Sequence, residues 1–251
     1  MEFSFPWIGR LRARSAMAPT VVGVMDRDSW TARTDNIVVA DPRRRRLLWI
    51  PRDLWSDVVG DRINEAYGRG GHELFLAAVR ELGIPVESSI VLLRSAVEHA
   101  LRGLSISVPV DRPRRYWYPM EPTLRLEDGA KLIVFEPPQE TLVGERIHQW
   151  LGARRSADTP APRLPDLDRC ERQQILVRCL LEEGFDFSST LENPALVAVS
   201  SPSALEQLRA VADGWALRTY DRVEPMAIDR KMVLVRRRRR LPRIRVWGRR
   251  S

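Results

Sequence analysis

Lysine is almost absent from this chain. Among its 41 basic residues only Lys131 and Lys231 are lysines, so arginine carries almost all of the positive charge behind the formal net charge of +8. Genome composition can produce such a bias, and the arginine count therefore does not by itself identify a site. A basic balance does favour an anionic partner such as a phosphate, a phospholipid or a nucleic acid.

Cysteine is scarce as well, with Cys170 and Cys179 alone. Both lie in one segment with a helical pattern, where nine residues would separate them by about 13 Å at a rise of about 1.5 Å per residue. That separation is too large for a disulfide, and no cysteine spacing of the metal-binding kind is present. The sequence therefore predicts two separate core thiols.

Long apolar runs are also missing. No stretch approaches the roughly 18 apolar residues that a spanning helix needs, and no signal-peptide apolar region is visible. We therefore expect a soluble or peripheral membrane chain, with residues 1–18 as a loose leader. His72, His99 and His148 have no nucleophile pattern near them, so a serine-histidine-aspartate site is not predicted.

What is present is enough apolar sequence for a packed core. With 251 residues, 44% of them apolar, the chain suits one large domain, predicted over residues 19–235, followed by an arginine-rich tail at 236–251. Strand and helix patterns alternate from residue 20 to 110, which predicts an α/β sandwich with helices packed on both faces of a mixed sheet. The clearest segments are strands at Thr20–Met25, Ser89–Leu93 and Ile106–Val110, a helix at His72–Leu82, and a helix beginning at a Ser95/Glu98 capping box.

The string RTDNIVVADPRRRRLLWIPRD, residues 33–53, predicts a hairpin. Two short apolar runs flank Asp41-Pro42 and a row of arginines, as in a strand, a turn and a second strand. Antiparallel pairing brings the start of the first strand beside the end of the second. Arg33, Asp35, Arg52 and Asp53 are therefore expected at one end of the sheet, as a site for an anion with or without a divalent metal. Ordinary surface charge flanking two strands is the alternative.

The string DLDRCERQQILVRCLLEEG, residues 166–184, predicts a helix with one unusual face. Leu176 and Leu180 need a core, and the same face carries guanidinium and amide groups at its N-terminal end. Such groups are costly to bury unless a carboxylate or an anionic ligand matches them. The polar members of this face are Arg169, Arg172 and Gln173. The alternative is that the arginines pair with Asp166, Asp168 or Glu171, or extend to water along the surface.

Four strings in order resemble the core of the LytR-CpsA-Psr family: RTDNIVVADPRRRRLLWIPRD, DRINEAYGRGG, ELGIPVESSIVLLRSAVEHALRGLSISVPV and DLDRCERQQ. The resemblance covers about residues 20–190. It implies an α/β sandwich with an apolar tunnel for a polyprenyl chain. It also implies transfer of a glycopolymer from a polyprenyl-diphosphate carrier to a hydroxyl of a cell-wall acceptor, with arginines on the diphosphate and a divalent cation, usually magnesium.

The resemblance also implies site residues. Asp26 and Asp35 would hold magnesium or position the acceptor and, with Arg52, act in catalysis. The residues that would bind the diphosphate are Arg33, Arg52, Arg62, Arg154, Arg169, Arg172 and Gln173. Asp53 would complete the motif at the strand end. The sequence departs from the family pattern in having Gly152 in place of an arginine and Arg62 in place of a lysine, and the family's N-terminal membrane anchor is not seen.

The sequence therefore supports two alternative functions. The first is a magnesium-dependent phosphotransferase, or a diphosphate-cleaving relative, acting on a lipid-linked glycan and an acceptor glycan. The second is an anion-binding protein without turnover, in which the basic tail binds nucleic acid. For the tail we expect the membrane surface rather than nucleic acid, because anionic headgroups attract clustered arginines. The family places its members on the extracytoplasmic face, whereas the missing signal points inside, so the compartment stays open. Tyr116, Trp117 and Tyr118 would pack in the core, stack on a sugar or line the lipid entrance.

Overall fold

The structure, a computed structural model, describes residues 18–121, 126–158, 167–211, 214–221, 223–228 and 231–236. These residues form an α/β fold in which a mixed central sheet lies between helices, as the sequence predicts. The predicted leader, apart from Ala18, and the predicted tail, apart from Arg236, lie outside the described residues.

The described part of the chain contains fifteen strands and five α-helices. The strands are β1 (Thr20–Met25), β2 (Thr34–Asp41), β3 (Arg46–Ile50), β4 (Trp55–Ser56), β5 (Asp61–Arg62), β6 (Ser88–Leu92), β7 (Ser105–Pro109), β8 (Arg114–Pro119), β9 (Ala130–Phe135), β10 (Gln139–Val143), β11 (Arg155–Ser156), β12 (Val197–Val199), β13 (Ala216–Thr219), β14 (Val223–Ile228) and β15 (Lys231–Arg236). The helices are α1 (Ala66–Glu81), α2 (Arg94–Ala100), α3 (Glu145–Gly152), α4 (Leu167–Glu182) and α5 (Pro202–Arg209).

The central sheet has six strands in the order β12-β6-β1-β2-β3-β13. The β1–β2 and β2–β3 pairs are antiparallel, whereas β1–β6 and β3–β13 are parallel. One face packs on α1 through Phe75 and Val79. The other face packs on α2, α4 and α5, through residues such as Leu181 and Leu208. Because both faces are covered, the strands of this sheet are rich in buried apolar residues.

The predicted hairpin is β2–β3, and its register places the charged residues as expected. Ile37 lies opposite Ile50, so Asp35, two residues earlier, and Arg52, two residues later, share one end. At the other end Asp41 caps a 3-10 turn by accepting a hydrogen bond from the Arg44 backbone N–H at 3.3 Å. Arg45 closes the turn in the left-handed region, at φ 44°.

The start of helix α1 differs from the sequence prediction. The helix begins at Ala66, six residues before the predicted start at His72, and crosses a kink at Gly70 and Gly71. Gly71 has a φ of +59°, a conformation that side chains strongly disfavour. The two glycines therefore mark a kink inside the helix and not its beginning.

The Ser95/Glu98 capping box is wrong. Helix α2 starts one residue earlier, at Arg94, and no side chain of its own caps it. The Ser95 backbone N–H instead donates to Asp28 Oδ1 at 2.8 Å, from the loop after β1. Glu98 is engaged by Arg94 one turn before it. A residue distant in sequence thus satisfies the helix start.

A second apolar cluster supports helix α4. It joins β7–β10, the small sheet β11-β8-β9, helix α3 and one side of α4, through residues such as Phe135, Trp150 and Leu176. Cys179 is buried and Cys170 is half-buried, and both are free thiols. The predicted core face of α4 is confirmed, because Leu176 and Leu180 are 2% and 5% exposed.

The last two strands form a hairpin that returns to the beginning of the domain. Leu54 and Leu234 form a parallel bridge, and the Leu234 backbone N–H donates to Asp53 O at 3.0 Å. Leu234 is 3% exposed and belongs to the cluster under α1. Among the described residues, no helix is both long and apolar enough to cross a membrane.

Candidate functional site

A cleft of about 410 Å³ opens at the charged end of β2, between that end, α2, β8 and the C-terminal end of α3. Its walls are mixed, with apolar side chains such as Val24 and Leu101 beside many polar ones. The polar lining residues are Asp26, Asp35, Asn36, Arg94, Glu98, His148, Arg154, Arg155, Arg169 and Gln173. Five of the residues predicted for a diphosphate and metal site therefore meet in one cleft: Asp26, Asp35, Arg154, Arg169 and Gln173.

Asp35 is the centre of this cleft. Arg169 Nη1 donates to Asp35 Oδ2 at 2.6 Å, and Arg154 Nη2 lies 3.6 Å from Oδ1. Arg52, from the partner strand, forms an ion pair with the same Oδ1. Three guanidinium groups from three distant parts of the chain thus surround one carboxylate whose side chain is 14% exposed. The local charge is positive, which suits a ligand with more than one negative charge.

The close approach of the three guanidinium groups changes the pKa of Arg52. Burial, together with repulsion from Arg169 and Arg154, lowers the pKa of Arg52 to about 10, while Asp53 acts in the opposite direction. A buried guanidinium that repels its neighbours is stabilised by an anion that all of them share. The residues therefore form a site in which a bound anion improves the electrostatic balance.

Helix α4 delivers Arg169 and Gln173 to the cleft but directs Arg172 elsewhere. Arg172 is fully buried, donates to the backbone oxygens of Trp150 and Ala153, and lies 3.3 Å from Asp168. Its guanidinium also stacks on the Tyr116 ring at 4.5 Å. Arg172 therefore holds the end of α3 against α4, next to the segment that carries Arg154. The Asp168 pairing matches the alternative stated for this helix.

Arg33 and Arg62 do not line the cleft. Arg33 pairs with Glu65 at 2.6 Å. Arg62 Nη1 lies 3.2 Å from Asp53, and its Nη2 donates to Met232 O at 2.9 Å. The structure thus brings together part of the predicted diphosphate set and places Arg33, Arg62 and Arg172 in other contacts. Diphosphate binding by these three residues stays a prediction.

Asp26 is the carboxylate best placed to accept a cation. It lines the cleft, and its Oδ1 is buried without a hydrogen-bond partner, with Arg27 Nε 3.6 Å away. In the described ranges no group of three or more histidine, cysteine, aspartate or glutamate side chains could hold a metal ion. Magnesium at phosphate sites needs only one or two carboxylates, because phosphates and water complete its shell. Asp26 therefore fits a cation whose shell phosphates and water complete, and Asp35 would join it only by exchanging a guanidinium partner for the metal.

An apolar cavity of about 150 Å³ lies beside the cleft. It lies between the central sheet and α4, lined by side chains such as Val38, Trp49 and Leu176. The residues that line both spaces are Val24, Asn36, Val97, Leu101, Leu151 and Gln173. The side-chain amide oxygens of Asn36 and Gln173 are buried without hydrogen-bond partners. Polar and apolar side chains therefore meet at the wall that the cleft and the cavity share.

Sequence reasoning missed Asn36 and the side chains of the far wall, namely Arg94, Glu98, His148 and Arg155. Asn36 offered one signal, because an amide between Asp35 and an apolar run is unusual for a buried strand. Arg94 and Glu98 offered another, since their spacing of four puts them on one helix face. Nothing in the sequence pairs them with His148.

The model of the LytR-CpsA-Psr family matches residues 12–212 of this chain. A search of curated proteins by sequence finds no match. Among solved structures, TagT bound to LI-WTA is 18% identical, with a TM-score of 0.60 over 87% of this chain and 84% of that one. Protein gbs0355 from Streptococcus agalactiae is 18% identical, with a TM-score of 0.60 over 86% and 81%. YwtF (TagT) with bound octaprenyl pyrophosphate lipid is 18% identical, with a TM-score of 0.56 over 87% and 83%.

Proposed function

The chain belongs to the LytR-CpsA-Psr family of cell-wall glycopolymer transferases, and from this premise we propose a phosphotransferase that acts on a polyprenyl-diphosphate-linked glycan. The acceptor is a hydroxyl group of a second envelope glycan, and the reaction requires magnesium. The protein works at the extracytoplasmic face, with the basic residues after 236 at an anionic membrane surface.

One observation carries this proposal: the arginine-lined cleft around Asp35 lies beside an apolar cavity and shares six lining residues with it. A prenyl diphosphate has the same division, with an anionic head of two phosphates and an apolar tail. Arg52, Arg154 and Arg169 would meet the head, and the cavity behind Asn36 and Gln173 would take the beginning of the tail. The related YwtF (TagT) structure contains octaprenyl pyrophosphate, which supports this assignment.

In the proposed reaction the acceptor oxygen attacks the phosphorus that carries the glycan. The bond from that phosphorus to the bridging oxygen breaks, and prenyl monophosphate leaves with the bonding electron pair. Asp26 accepts the hydroxyl proton, since its Oδ1 has no other hydrogen-bond donor. The guanidinium groups of Arg154 and Arg169 stabilise the negative charge that develops on the phosphate oxygens.

Magnesium would be held by Asp26 and Asp35 and by the phosphates, and it would supply further charge stabilisation to the leaving group. Residues of the chain have positioning roles that are separate from the metal. Arg52 and Arg169 hold Asp35 in place through its two carboxylate oxygens. Arg172 fixes the backbone that carries Arg154. The apolar cavity keeps the tail out of water.

The test is release of prenyl monophosphate from a short-chain prenyl diphosphate that bears a glycan, with and without magnesium. Arg52→Ala should lower turnover by about 100-fold, because Asp35 loses a guanidinium group that holds it and the diphosphate loses one of its three arginines. Arg43→Ala, at the far end of the same hairpin, is the matched control. Magnesium-independent turnover, or full turnover in Arg52→Ala, contradicts the proposed mechanism.

A second function rests on Gly152. The resemblance places an arginine there, and in the structure a glycine lies at the cleft beside Tyr118. A protein that binds the lipid diphosphate without transferring the glycan would tolerate this loss. In the same assay it would bind the lipid tightly and release no prenyl monophosphate, whether or not an acceptor is added.

A further inference from the structure

A second wall of the cleft carries aromatic and hydrogen-bonding side chains. It consists of Trp117 and Tyr118 from β8, Arg94 and Glu98 from α2, and His148 from α3. Along β8, Tyr116 is buried in the core while Trp117 is 41% exposed. An exposed indole ring at a cleft offers a flat apolar surface that a ligand can cover.

The polar members of this wall hold one another in place. Arg94 Nε donates to Glu98 Oε1 at 2.6 Å, and His148 Nδ1 lies 3.6 Å from the same oxygen. Together they present donors and an acceptor on fixed planar groups. Burial raises the pKa of Tyr118, whose hydroxyl therefore stays protonated and able to donate. The wall combines one apolar ring with a row of hydrogen-bonding groups.

This wall lies directly beside the phosphate end of the cleft. Trp117 is the register partner of Arg155 in the β8–β11 pair, and the preceding residue, Arg154, lies 3.6 Å from Asp35. A Cβ on Gly152 would stand 3.7 Å from the Tyr118 hydroxyl oxygen. A group attached to a phosphate at Arg154 would therefore reach Trp117 without leaving the cleft.

We propose that Trp117, Tyr118, Glu98, Arg94 and His148 form the subsite for the first sugar of the lipid-linked glycan, which rests on the proposed function. A pyranose ring has an apolar C–H face and a rim of hydroxyl groups. Trp117 stacks on the face, Glu98 accepts from one hydroxyl, and Arg94 and His148 donate to others. Because a site built to bond hydroxyl groups rejects ligands that lack them, this wall selects the sugar while the arginines select the diphosphate.

The experiment compares two probes that share one lipid: octaprenyl diphosphate, and octaprenyl diphosphate bearing a single N-acetylhexosamine. Their dissociation constants are measured for the full chain and for Trp117→Ala, Trp117→Phe and Trp30→Ala. Trp30 is a matched control, since it is 37% exposed but does not line the cleft. The wild type should bind the sugar-bearing probe about tenfold more tightly, from one stacked ring and its hydrogen bonds.

Trp117→Ala should abolish that preference and leave the affinity for octaprenyl diphosphate within about twofold, and Trp117→Phe should keep most of it. Trp30→Ala should keep the preference in full. Equal binding of both probes by the wild type overturns the sugar subsite and leaves the proposed function standing, as does an equal loss for both probes in Trp117→Ala. If neither probe binds the wild type, the proposed function falls together with this subsite.

Discussion

The two ends of the β2–β3 hairpin use the same residue type in opposite ways. At the turn, Arg43, Arg44 and Arg45 are exposed, and Asp41 holds Arg44 at 2.9 Å. At the other end Arg52 has a side chain that is 9% exposed and pairs with Asp35, which Arg154 and Arg169 also approach. The conspicuous run of arginines is surface charge, and the buried Arg52 meets the carboxylate that lines the cleft. Burial and convergence of charge identify the site better than the number of charges.

Removing the carboxylate at each end of the hairpin should give the largest difference between the two ends. Asp35→Ala leaves the buried charges of Arg52 and Arg169 facing each other, and should lower the free energy of unfolding by about 3–5 kcal/mol. Asp41→Ala should lower the free energy of unfolding by only about 1 kcal/mol. It removes a turn cap and two ion pairs whose arginines, Arg44 and Arg46, are more exposed than Arg52. Urea unfolding measures both. Inorganic pyrophosphate should restore stability to Asp35→Ala alone; an equal loss at the two ends would contradict the comparison.

Replacing an arginine by lysine keeps the positive charge and removes the planar guanidinium group. Arg169→Lys should weaken binding of octaprenyl diphosphate by about tenfold, because an ammonium cannot bond Asp35 and a phosphate through a planar group. Arg44→Lys should leave the affinity unchanged, since Arg44 is 66% exposed. Isothermal titration of both variants provides the measurement. Similar losses would mean that overall charge, rather than the cleft, governs binding.

Adding an arginine to the cleft should increase its affinity for an anion. A Cβ at Gly152 would meet only the Tyr118 ring and hydroxyl, at 3.7 to 3.8 Å, which is ordinary contact. Gly152→Arg should therefore fold and bind octaprenyl diphosphate roughly three- to tenfold more tightly through one more charge-assisted contact. Gly152→Ala separates the added charge from the loss of glycine freedom. A weaker affinity in Gly152→Arg would show that the glycine is needed for space.

The smallest expected effect concerns pH. The pKa of Arg52 is lowered to about 10 from 12.5, so between these values the folded chain binds fewer protons at Arg52 than the unfolded chain. The contribution of Arg52 to stability therefore rises with pH across this window, while its attraction for an anion falls. The affinity advantage of the wild type over Arg52→Gln for inorganic pyrophosphate should shrink above about pH 10. An advantage that stays constant to pH 11 would contradict the lowered pKa.

The sequence predicted the parts of this site that depend on local pattern. Two apolar runs on either side of Asp41-Pro42 predicted the β2–β3 hairpin, and antiparallel pairing predicted Asp35 near Arg52. The spacing of Leu176 and Leu180 placed Arg169 and Gln173 on the inward face of α4. Both inferences need only residues that are close in sequence.

The rest depends on partners that no pattern specifies. Arg172 shares its helix face with Arg169, yet backbone oxygens of Trp150 and Ala153 take its guanidinium. Arg62 donates to a carbonyl 170 residues away, and Asp28 replaced the expected cap of α2. Each outcome was decided by tertiary neighbours competing for the same group, and single-sequence spacing carries no record of that competition.

The β14–β15 hairpin ties the last described strands to the neighbourhood of the site. The Leu234 backbone N–H donates to Asp53 O, next to Arg52, and Arg62, which pairs with Asp53, donates to Met232 O. These contacts join residues that are 170 or more positions apart, so a large loop must close before they contribute. The guanidinium groups that gather at Asp35 are likewise spread along the chain, because Arg154 and Arg169 follow Arg52 by more than 100 residues. During synthesis the first half of the chain therefore leaves the ribosome with Asp35 and Arg52 alone of this cluster.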